Sequence, residues 1–384
     1  MSGFTLDRVP RLVQEAGALD RIGETASRLG QGAPVLLVAD PGLAAAGIID
    51  RAQGALRGSG LGVVTFSAFK SDPSCAQIDA GAELARNERA GVVVALGGGS
   101  ALDVGKAVAA LAPEAAPASH YQLCQHPLPA RPLPKICVPT TSGTGSETTR
   151  TVVASTDEGA KIWLWGDELK ADEVVLDPTL TVGLPPHLTA ATGIDALVHA
   201  AEASTNANAF TANDLYCHAA IRLVARQLPE AMARPDDLAA RAGLQLAAAF
   251  AGIGIDNAGT AIAHNIGHAL ASLRPVHHGR AVGLAMLATL PWNTEEDPEG
   301  RFAAVADAMG AGRDARALPG AFERLLREVG IKVSLAGEGH DDVTPERLAA
   351  QMAAPENMPM RRSNRRPVTD EDAARFARIL LTQH

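Results

Sequence analysis

Short apolar runs alternate with amphipathic stretches over the first half of the chain. Such apolar runs are typical of buried parallel strands, and the stretches between them have helical periodicity. The pattern predicts strands at 33–40, 62–69, 91–96, 135–138 and 174–177, and helices at 44–56, 76–88 and after residue 99. Because strand alternates with helix, we predict a doubly wound, parallel α/β sheet.

The pattern changes at the proline pair at 185 and 186. Beyond it, apolar residues recur at helical spacing almost to the end of the chain. The predicted helices are 188–203, 212–226, 238–253, 260–273, 281–288, 301–309, 318–329 and 370–381. We therefore predict an α/β domain at 1–184 and an all-helical domain at 185–384, with a proline- and alanine-rich loop at 113–134.

Composition narrows the class of protein. The 384 residues are 47% hydrophobic and 20% charged, which is typical of a globular chain. The formal net charge of −9 argues against nucleic acid and anionic membranes as partners, so small molecules are expected. Four scattered cysteines suit a reducing compartment, which favours the cytoplasm. The longest apolar run, near 246–255, is too short to span a membrane.

A glycine-rich segment follows the predicted strand at 91–96. It consists of Gly97, Gly98, Gly99 and Ser100 and leads into ALDVGKAVAAL, which has the pattern of a helix. Glycines let the backbone approach a phosphate, while N–H groups at a helix start favour an anion. The segment therefore predicts phosphate binding. Its spacing is not G-x-G-x-x-G, and a simple tight turn is the alternative.

A second polar loop, PTTSGTGSE at 139–147, follows the predicted strand at 135–138. Carboxyl ends of parallel strands share one edge of the sheet, where dinucleotides bind in open α/β folds. Two such loops at one edge indicate one shared ligand. The alternative is a loop whose threonines and serines are merely solvated.

Histidines and one aspartate recur at helical spacing in the second half of the chain. They form two i,i+4 pairs and a later pair: Asp195 with His199, His264 with His268, and His277 with His278. Residues four apart share one face of a helix. One carboxylate with three imidazoles suits Fe²⁺ or Zn²⁺, whereas calcium and magnesium require more oxygen ligands. Structural histidines are the alternative.

Five motifs follow one another along the chain: GGGSALDVGK, PTTSGTGSE, DPTLTVGLPP, DALVHAAEA and NAGTAIAHNIGHALASLRPVHHG. In this order they resemble the motifs of the iron-containing (group III) alcohol dehydrogenases. The resemblance implies a Rossmann-like nucleotide-binding domain followed by an all-α domain, together a dehydroquinate synthase-like fold. It also implies an NAD-dependent enzyme that transfers a hydride reversibly between NAD(H) and an alcohol, aldehyde or ketone whose oxygen is bound by a divalent metal.

The resemblance extends to individual positions. It implies metal ligands at Asp195, His199, His264 and His278, holding Fe²⁺ or Zn²⁺. His278 is favoured over His277 because the His-Gly pair and its distance from His264 match the family pattern. His268 matches a histidine near the nicotinamide, and we expect it to relay the proton of the alcohol.

Cofactor contacts are implied in the same way. The matching positions are Asp40, Gly97, Gly98, Gly99, Ser100, Thr140, Thr141, Thr144, Ser146, Lys161 and Leu180. Asp40 stands where an acid in this family favours NAD. A carboxylate there accepts hydrogen bonds from ribose hydroxyls and repels the 2′-phosphate of NADP.

Several positions depart from the family pattern. Ala269 and His277 stand where prolines are common, and Arg150 lies in a stretch that is usually more apolar. Substrate choice is therefore the least transferable property. For the basic segment at 360–368 we expect one of two roles: it faces an acidic group of the substrate, or it forms a solvated turn.

Other functions on related folds are the alternatives. They are a maleylacetate-reductase-like reductase, a dehydroquinate-synthase-like cyclase and an inactive binding protein. Retention of all four candidate ligands favours the metal-dependent dehydrogenase. We expect a cytoplasmic homodimer or higher homo-oligomer that acts on a small alcohol or aldehyde.

Overall fold

A computed structural model describes residues 3–156, 159–338 and 342–382. The chain divides into two compact units, Arg8–Gly183, and Leu184–His384 together with Met1–Asp7. Among the described residues, the first unit contains all the strands and the first four α-helices, and the second contains the remaining α-helices. The helical character predicted beyond residue 185 is confirmed.

The first unit is built on a parallel sheet. Its strands and helices are β1 (Arg11–Gln14), α1 (Ile22–Gly30), β2 (Val35–Ala39), α2 (Ile48–Gly58), β3 (Val63–Phe66), α3 (Cys75–Asn87), β4 (Val92–Gly97), α4 (Gly99–Leu111), β5 (Lys135–Pro139), β6 (Thr151–Ser155), β7 (Lys161–Trp165) and β8 (Glu173–Leu176). Six strands form the sheet in the order β1-β8-β5-β4-β2-β3, all parallel, and β6 and β7 form a separate antiparallel hairpin. The predicted Rossmann-like architecture is confirmed.

The side chains of β2 pack against helices on both faces of the sheet. Val35, Leu37 and Ala39 pack with α1 and α2, whereas Leu36 and Val38 pack with α3 and α4. Successive side chains of a strand point to opposite faces, so a strand buried on both must be apolar throughout. The sequence VLLVA meets that requirement.

Four groups of elements were absent from the sequence prediction. They are β1, α1, the β6–β7 hairpin, and two short helices near the C-terminus, Pro345–Met352 and Met358–Ser363. In β6 and β7, buried residues alternate with partly exposed ones, which is the period of a half-buried strand. The predicted loop at 113–134 contains a short 3₁₀ stretch, Ala118–Cys124.

The second unit is helical throughout. Its helices are α5 (Pro186–Thr205), α6 (Thr211–Ala233), α7 (Leu238–Ala258), α8 (Ile262–Leu273), α9 (His278–Asn293), α10 (Arg301–Ala308), α11 (Leu318–Glu328), α12 (Pro345–Met352), α13 (Met358–Ser363) and α14 (Asp370–Thr382). Alanine and glycine on facing helices permit close packing, as between Gly283 of α9 and Ile194 of α5.

Within the described part of the chain, one helix is long and apolar enough to cross a membrane. This helix is α7, and 61% of its most apolar window is buried inside the protein. It packs in the hydrophobic core of the helical unit through residues such as Leu244 and Ala251.

Candidate functional site

Four side chains of the helical unit converge on one point. Among the described residues, Asp195, His199, His264 and His278 form the group able to hold a metal ion, and one donor atom from each lies within 4.8 Å of the others. Three helices supply them: α5 carries the first two, α8 carries His264 and α9 begins at His278. His277 is not part of the group.

The start of α9 packs unusually closely on α5. A Cβ atom at Gly279 would lie 2.0 Å from the carbonyl oxygen of Ala191 and 3.1 Å from Cβ of Asp195. Only glycine fits so close an approach of backbone to backbone. As a result, His278 reaches Asp195, with 3.5 Å between Nε2 and Oδ1.

His264 is held on its other side by a carboxylate. Nδ1 of His264 lies 2.6 Å from Oε2 of Glu202, which projects from α5. Oε1 of Glu202 accepts a hydrogen bond from the backbone N–H of Ala263 at 2.6 Å, and Oε2 accepts one from Ala261 at 2.8 Å. The carboxylate therefore joins α5 to the beginning of α8.

Two buried atoms at the centre of the group make no hydrogen bond to any part of the chain that the structure describes. They are Oδ1 of Asp195 and Nε2 of His264, and they lie 3.8 Å apart. A buried polar atom without a partner is costly, so such atoms call for an explanation. A carboxylate oxygen and an imidazole nitrogen are suitable ligands for iron or zinc, and both atoms fit that role.

Electrostatics at the centre favour a positive charge. Burial alone would raise the pKa of Asp195, but the facing imidazoles of His199, His278 and His264 hold that pKa well below its ordinary value. Burial likewise opposes charging of His264, yet the carboxylates of Asp195 and Glu202 raise its pKa to about 9. A divalent cation would meet the same demand for positive charge.

The group is open on one side. The side chain of His278 is 38% exposed, whereas those of Asp195 and His264 are 3% and 2% exposed. A catalytic metal needs such an open position for its substrate. His268, which is half-buried, stands next to the group: its ring lies 5.0 Å from that of His278 and perpendicular to it.

The two glycine- and threonine-rich loops of the first unit lie against each other. A Cβ atom at Gly98 would be 3.4 Å from Cγ2 of Thr141, and one at Gly99 would be 2.8 Å from Cγ2 of Thr144. The N–H of Thr140 donates to the carbonyl of Gly97 at 3.0 Å. The structure thus brings together the two segments that the sequence assigned to one ligand.

The start of α4 suits an anion. Its N-cap, Gly98, provides no side-chain cap, and Gly97 has a φ of 148°, in the region that favours glycine. Ser100 lies in the first turn of α4. Uncapped N–H groups at the start of a thirteen-residue helix can receive a phosphate. Asp40 lies beside this turn, since a Cβ at Gly97 would be 2.8 Å from its own Cβ.

The remaining cofactor candidates occupy different environments. The hydroxyl of Ser146 is buried and donates to Oδ1 of Asp103. Lys161 forms a 2.6 Å ion pair with Asp72. Leu180 is buried in the hydrophobic cluster beneath one face of the sheet. These three side chains therefore have protein partners of their own.

Asp103 and Lys106 of α4 form hydrogen bonds that hold the second loop, at 139–147, and the strand that follows it. Nζ of the fully buried Lys106 donates to the carbonyls of Ser146 at 2.8 Å and Thr151 at 2.6 Å, and the backbone N–H of Val153 donates to Asp103 at 2.9 Å. This pair was not among the site residues predicted from the sequence. Its signal is the i,i+3 spacing of opposite charges directly after the glycines.

Substituting Gly99 with alanine tests the junction between the loops. Its Cβ would lie within 3.2 Å of three atoms of Thr144, and such overpacking costs about 1–3 kcal/mol. We expect the KM for NAD⁺ to rise about 10-fold. Steady-state kinetics with varied NAD⁺ measure the effect.

Gly54 provides the matched control, because a Cβ atom there would meet nothing within 4 Å. Gly54→Ala in α2 should leave the KM for NAD⁺ unchanged. Equal KM values in both variants would show that the junction does not bear on the cofactor.

Because Glu147 of the second loop is buried, we expect the free energy of unfolding to depend on pH. Burial raises its pKa to about 7, while nearby Lys106 opposes this shift. In the unfolded chain the Glu147 carboxyl has a pKa of 4.5 and loses its proton at a lower pH than in the folded protein. The free energy of unfolding should therefore fall as the pH rises from about 4.5 to 7. Glu147→Gln should remove about 2–3 kcal/mol of that fall between pH 5 and 8, as measured by urea denaturation.

An exposed glutamate serves as the control for this pH dependence. Glu83→Gln in α3 changes the same charge in water, and its unfolding free energy should follow wild type at every pH. A Glu147→Gln profile parallel to wild type would contradict the buried titration.

The basic segment at 360–368 is used within the fold. Arg365 donates to the carbonyl of Asn206 at 2.7 Å, and the guanidinium of Arg366 lies 3.9 Å above the ring of Trp292. Arg361 pairs with Asp370 at 2.7 Å. These three arginines stabilise the helical unit.

The architecture and the four-residue group define the class of a metal-dependent enzyme with a Rossmann-like unit. A family profile described as "Iron-containing alcohol dehydrogenase" matches residues 10–178, and one described as "Fe-containing alcohol dehydrogenase family, C-terminal" matches residues 189–378. The chain therefore belongs to the iron-containing alcohol dehydrogenase family.

Individual relatives are consistent with this family membership. Choline dehydrogenase of Bacillus subtilis (strain 168) is 35% identical over 81% of this chain and 78% of its own. The crystal structure of sulfoacetaldehyde reductase from Bifidobacterium kashiwanohense in complex with NAD⁺ has a TM-score of 0.91 and 26% identity, covering all of both chains. That of a 1,3-propanediol oxidoreductase has a TM-score of 0.90 and 30% identity, covering 99% of this chain and 100% of its own.

These relatives confirm the expected function. The chain is an NAD-dependent, iron-type alcohol dehydrogenase that carries out metal-dependent oxidation and reduction of alcohols and aldehydes. Its cofactors are NAD and a divalent metal.

Proposed function

We propose that Asp195, His199, His264 and His278 are the metal ligands of this dehydrogenase. The observation that carries the proposal is the convergence of their donor atoms within 4.8 Å around two buried atoms that lack hydrogen-bond partners. One carboxylate and three imidazoles give the site a net charge that suits Fe²⁺, and Zn²⁺ accepts the same ligands.

When bound, the metal supplies Lewis-acid stabilisation of charge on the substrate oxygen, and NAD supplies the hydride acceptor or donor. The protein must then orient the substrate and move its proton. His268 is the candidate for the second task. Its imidazole lies beside His278 but outside the ligand group, so it can act as a general base without binding the metal.

We further propose that residues 1–184 form the dinucleotide-binding domain and 185–384 the metal-binding domain. Support for the first comes from the loop junction at Gly97, Gly98 and Gly99 and from the uncapped start of α4. Thr141 and Thr144 would contact the cofactor directly because they flank those glycines. Ser146 would act by fixing the loop through Asp103.

Asp40 should determine the preference for NAD over NADP. Its carboxylate already accepts the N–H of Gly42 at 2.9 Å, which holds it at the end of β2. Asp40→Ala removes the repulsion of a 2′-phosphate, so kcat/KM for NADP⁺ relative to NAD⁺ should rise about 10-fold, equivalent to about 1.4 kcal/mol. Kinetics with both cofactors measure this ratio. An unchanged ratio would contradict the role of Asp40.

The function is tested with purified, metal-loaded protein. We propose small alcohols and aldehydes as substrates, and the names of the relatives suggest a panel: choline, 1,3-propanediol, a long-chain alcohol and sulfoacetaldehyde. NADH formation or consumption at 340 nm is the readout, alongside elemental analysis for iron and zinc. A fully loaded site with no turnover of any alcohol or aldehyde would overturn the proposal, and undiminished turnover after chelation would favour a metal-independent reductase.

We also propose a cytoplasmic homo-oligomer. Cys75, Cys137 and Cys217 are buried and Cys124 is exposed, and the described residues contain no disulfide between them. Reduced cysteines suit the cytoplasm. Light scattering coupled to size exclusion would determine the oligomeric state, and a single species at 39.6 kDa would exclude an oligomer.

A further inference from the structure

Glu202 extends the line of metal-site residues along α5. Asp195, His199 and Glu202 stand at positions i, i+4 and i+7, which lie on one face of a helix. All three are buried, with 2%, 5% and 3% of their surface exposed. Glutamate is rarely buried unless its charge is compensated, so its position requires an explanation.

Both oxygens of Glu202 are fixed by the start of α8. Oε1 accepts the N–H of Ala263 at 2.6 Å, and Oε2 accepts the N–H of Ala261 at 2.8 Å. The N-cap of α8, Ala261, offers no side-chain cap. Glu202 therefore supplies, from a different helix, the acceptor that the first turn of α8 lacks.

The third contact of Glu202 is to a candidate ligand. Nδ1 of His264 is 2.6 Å from Oε2. Because each carboxylate oxygen already accepts an N–H group, the carboxylate is an acceptor towards Nδ1 as well, and Nδ1 carries the ring proton. When the ring is neutral, as a histidine that binds a metal must be, Nε2 carries the lone pair, and Nε2 is the nitrogen of His264 with no hydrogen-bond partner among the described residues.

We infer that Glu202 is a positioning residue for the metal site, which fixes the Nδ1–H tautomer and the orientation of His264 so that Nε2 is available to the metal. The inference rests on the proposed ligand set. Carboxylates that hold a ligand histidine in this way increase metal affinity. A residue that only capped α8 would need the two backbone contacts and not the third.

Glu202→Gln tests the third contact. The glutamine keeps the shape of the side chain and, with its amide oxygen on the N–H of Ala263, places its NH₂ group where Oε2 accepts from both Ala261 and His264. That NH₂ group gives up the Ala261 contact, donates to Nδ1 and drives the ring proton to Nε2. With Co²⁺ as the probe, we expect the Kd to rise about 10- to 100-fold. The d–d absorption of the cobalt-loaded protein should also change. Neither measurement depends on turnover.

Ser204→Ala provides the matched control. Ser204 is buried on the same helix, and within the described ranges its hydroxyl bonds to the carbonyls of Ala200 and Ala201 of that helix. This variant should bind Co²⁺ with wild-type affinity and spectrum. Circular dichroism and thermal unfolding of the metal-free proteins establish that each variant is folded.

His264→Ala, measured in parallel, distinguishes two kinds of failure. If it binds Co²⁺ as wild type does, the proposed ligand set is wrong. If it loses the metal while a folded Glu202→Gln protein keeps wild-type Kd and spectrum, the ligand set stands and the role of Glu202 is overturned.

A measurement on the wild-type protein does not depend on folding of the Glu202 variant. ¹⁵N-histidine NMR of the zinc-loaded protein, with His264 assigned by its loss in His264→Ala, reports which ring nitrogen carries the proton. We expect protonated Nδ1. A proton on Nε2 would overturn the inference.

Discussion

Replacing Asp195 with asparagine is expected to lower kcat about 1,000-fold and to remove most of the bound metal. Asp195 supplies the one carboxylate of the four-residue group. Loss of Lewis-acid stabilisation worth about 4 kcal/mol corresponds to this decrease in kcat. Asparagine has nearly the same shape, so the close packing against Gly279 is retained. The measurements are kcat for an alcohol that wild type oxidises and metal content by elemental analysis.

Asp307→Asn provides the control for this substitution. Asp307 lies exposed on α10 of the same unit, so the same change there should alter neither turnover nor metal content. An Asp195→Asn protein that retains a full complement of metal and wild-type kcat would exclude Asp195 from the site.

His268→Ala is expected to reduce kcat about 100-fold by removing a general base, while metal content remains at the wild-type value. The ring of His268 lies 5.0 Å from that of His278 and 6.2 Å from that of His264. It is thus close enough to serve a substrate at the metal, yet it is not one of the four grouped residues. Parallel assays of kcat and metal content separate proton transfer from metal binding.

The control for His268 is His218, a partly buried histidine of α6 whose charged neighbours include Asp214 and Arg301. His218→Ala should leave kcat unchanged. Loss of metal from His268→Ala would instead make His268 a ligand, and unchanged kcat would remove it from the mechanism.

Strands and helices with a clear hydrophobic pattern of their own were predictable from the sequence. The strands β2 and β4 are wholly apolar because both faces of the sheet are covered, and α8 carries its histidines at helical spacing. Two short elements without such a pattern were not: β1 has four residues and lies at the sheet edge, and α13 has six. Such elements are stabilised by pairing or packing with distant parts of the chain rather than by their own periodicity.

The start of α2 shows how backbone geometry modifies a hydrophobic pattern. The sequence predicted a helix from residue 44, whereas α2 begins at Ile48. A 3₁₀ turn at Pro41–Leu43 and the left-handed Gly47, with a φ of 69°, come first. Alanines favour helix, but a glycine in this conformation interrupts it.

By itself, the sequence determined the chemical types at the centre and their local spacing: Asp195 with His199 on one helix face and His264 on another. His278 was preferred to His277 only through the resemblance to the family, and nothing in the sequence identified Glu202. The physical basis of both positions is tertiary: the contact of Gly279 with Ala191 places His278, and a hydrogen bond across 62 residues joins His264 to Glu202. Helical periodicity fixes which residues share a face, but only tertiary packing decides which faces meet.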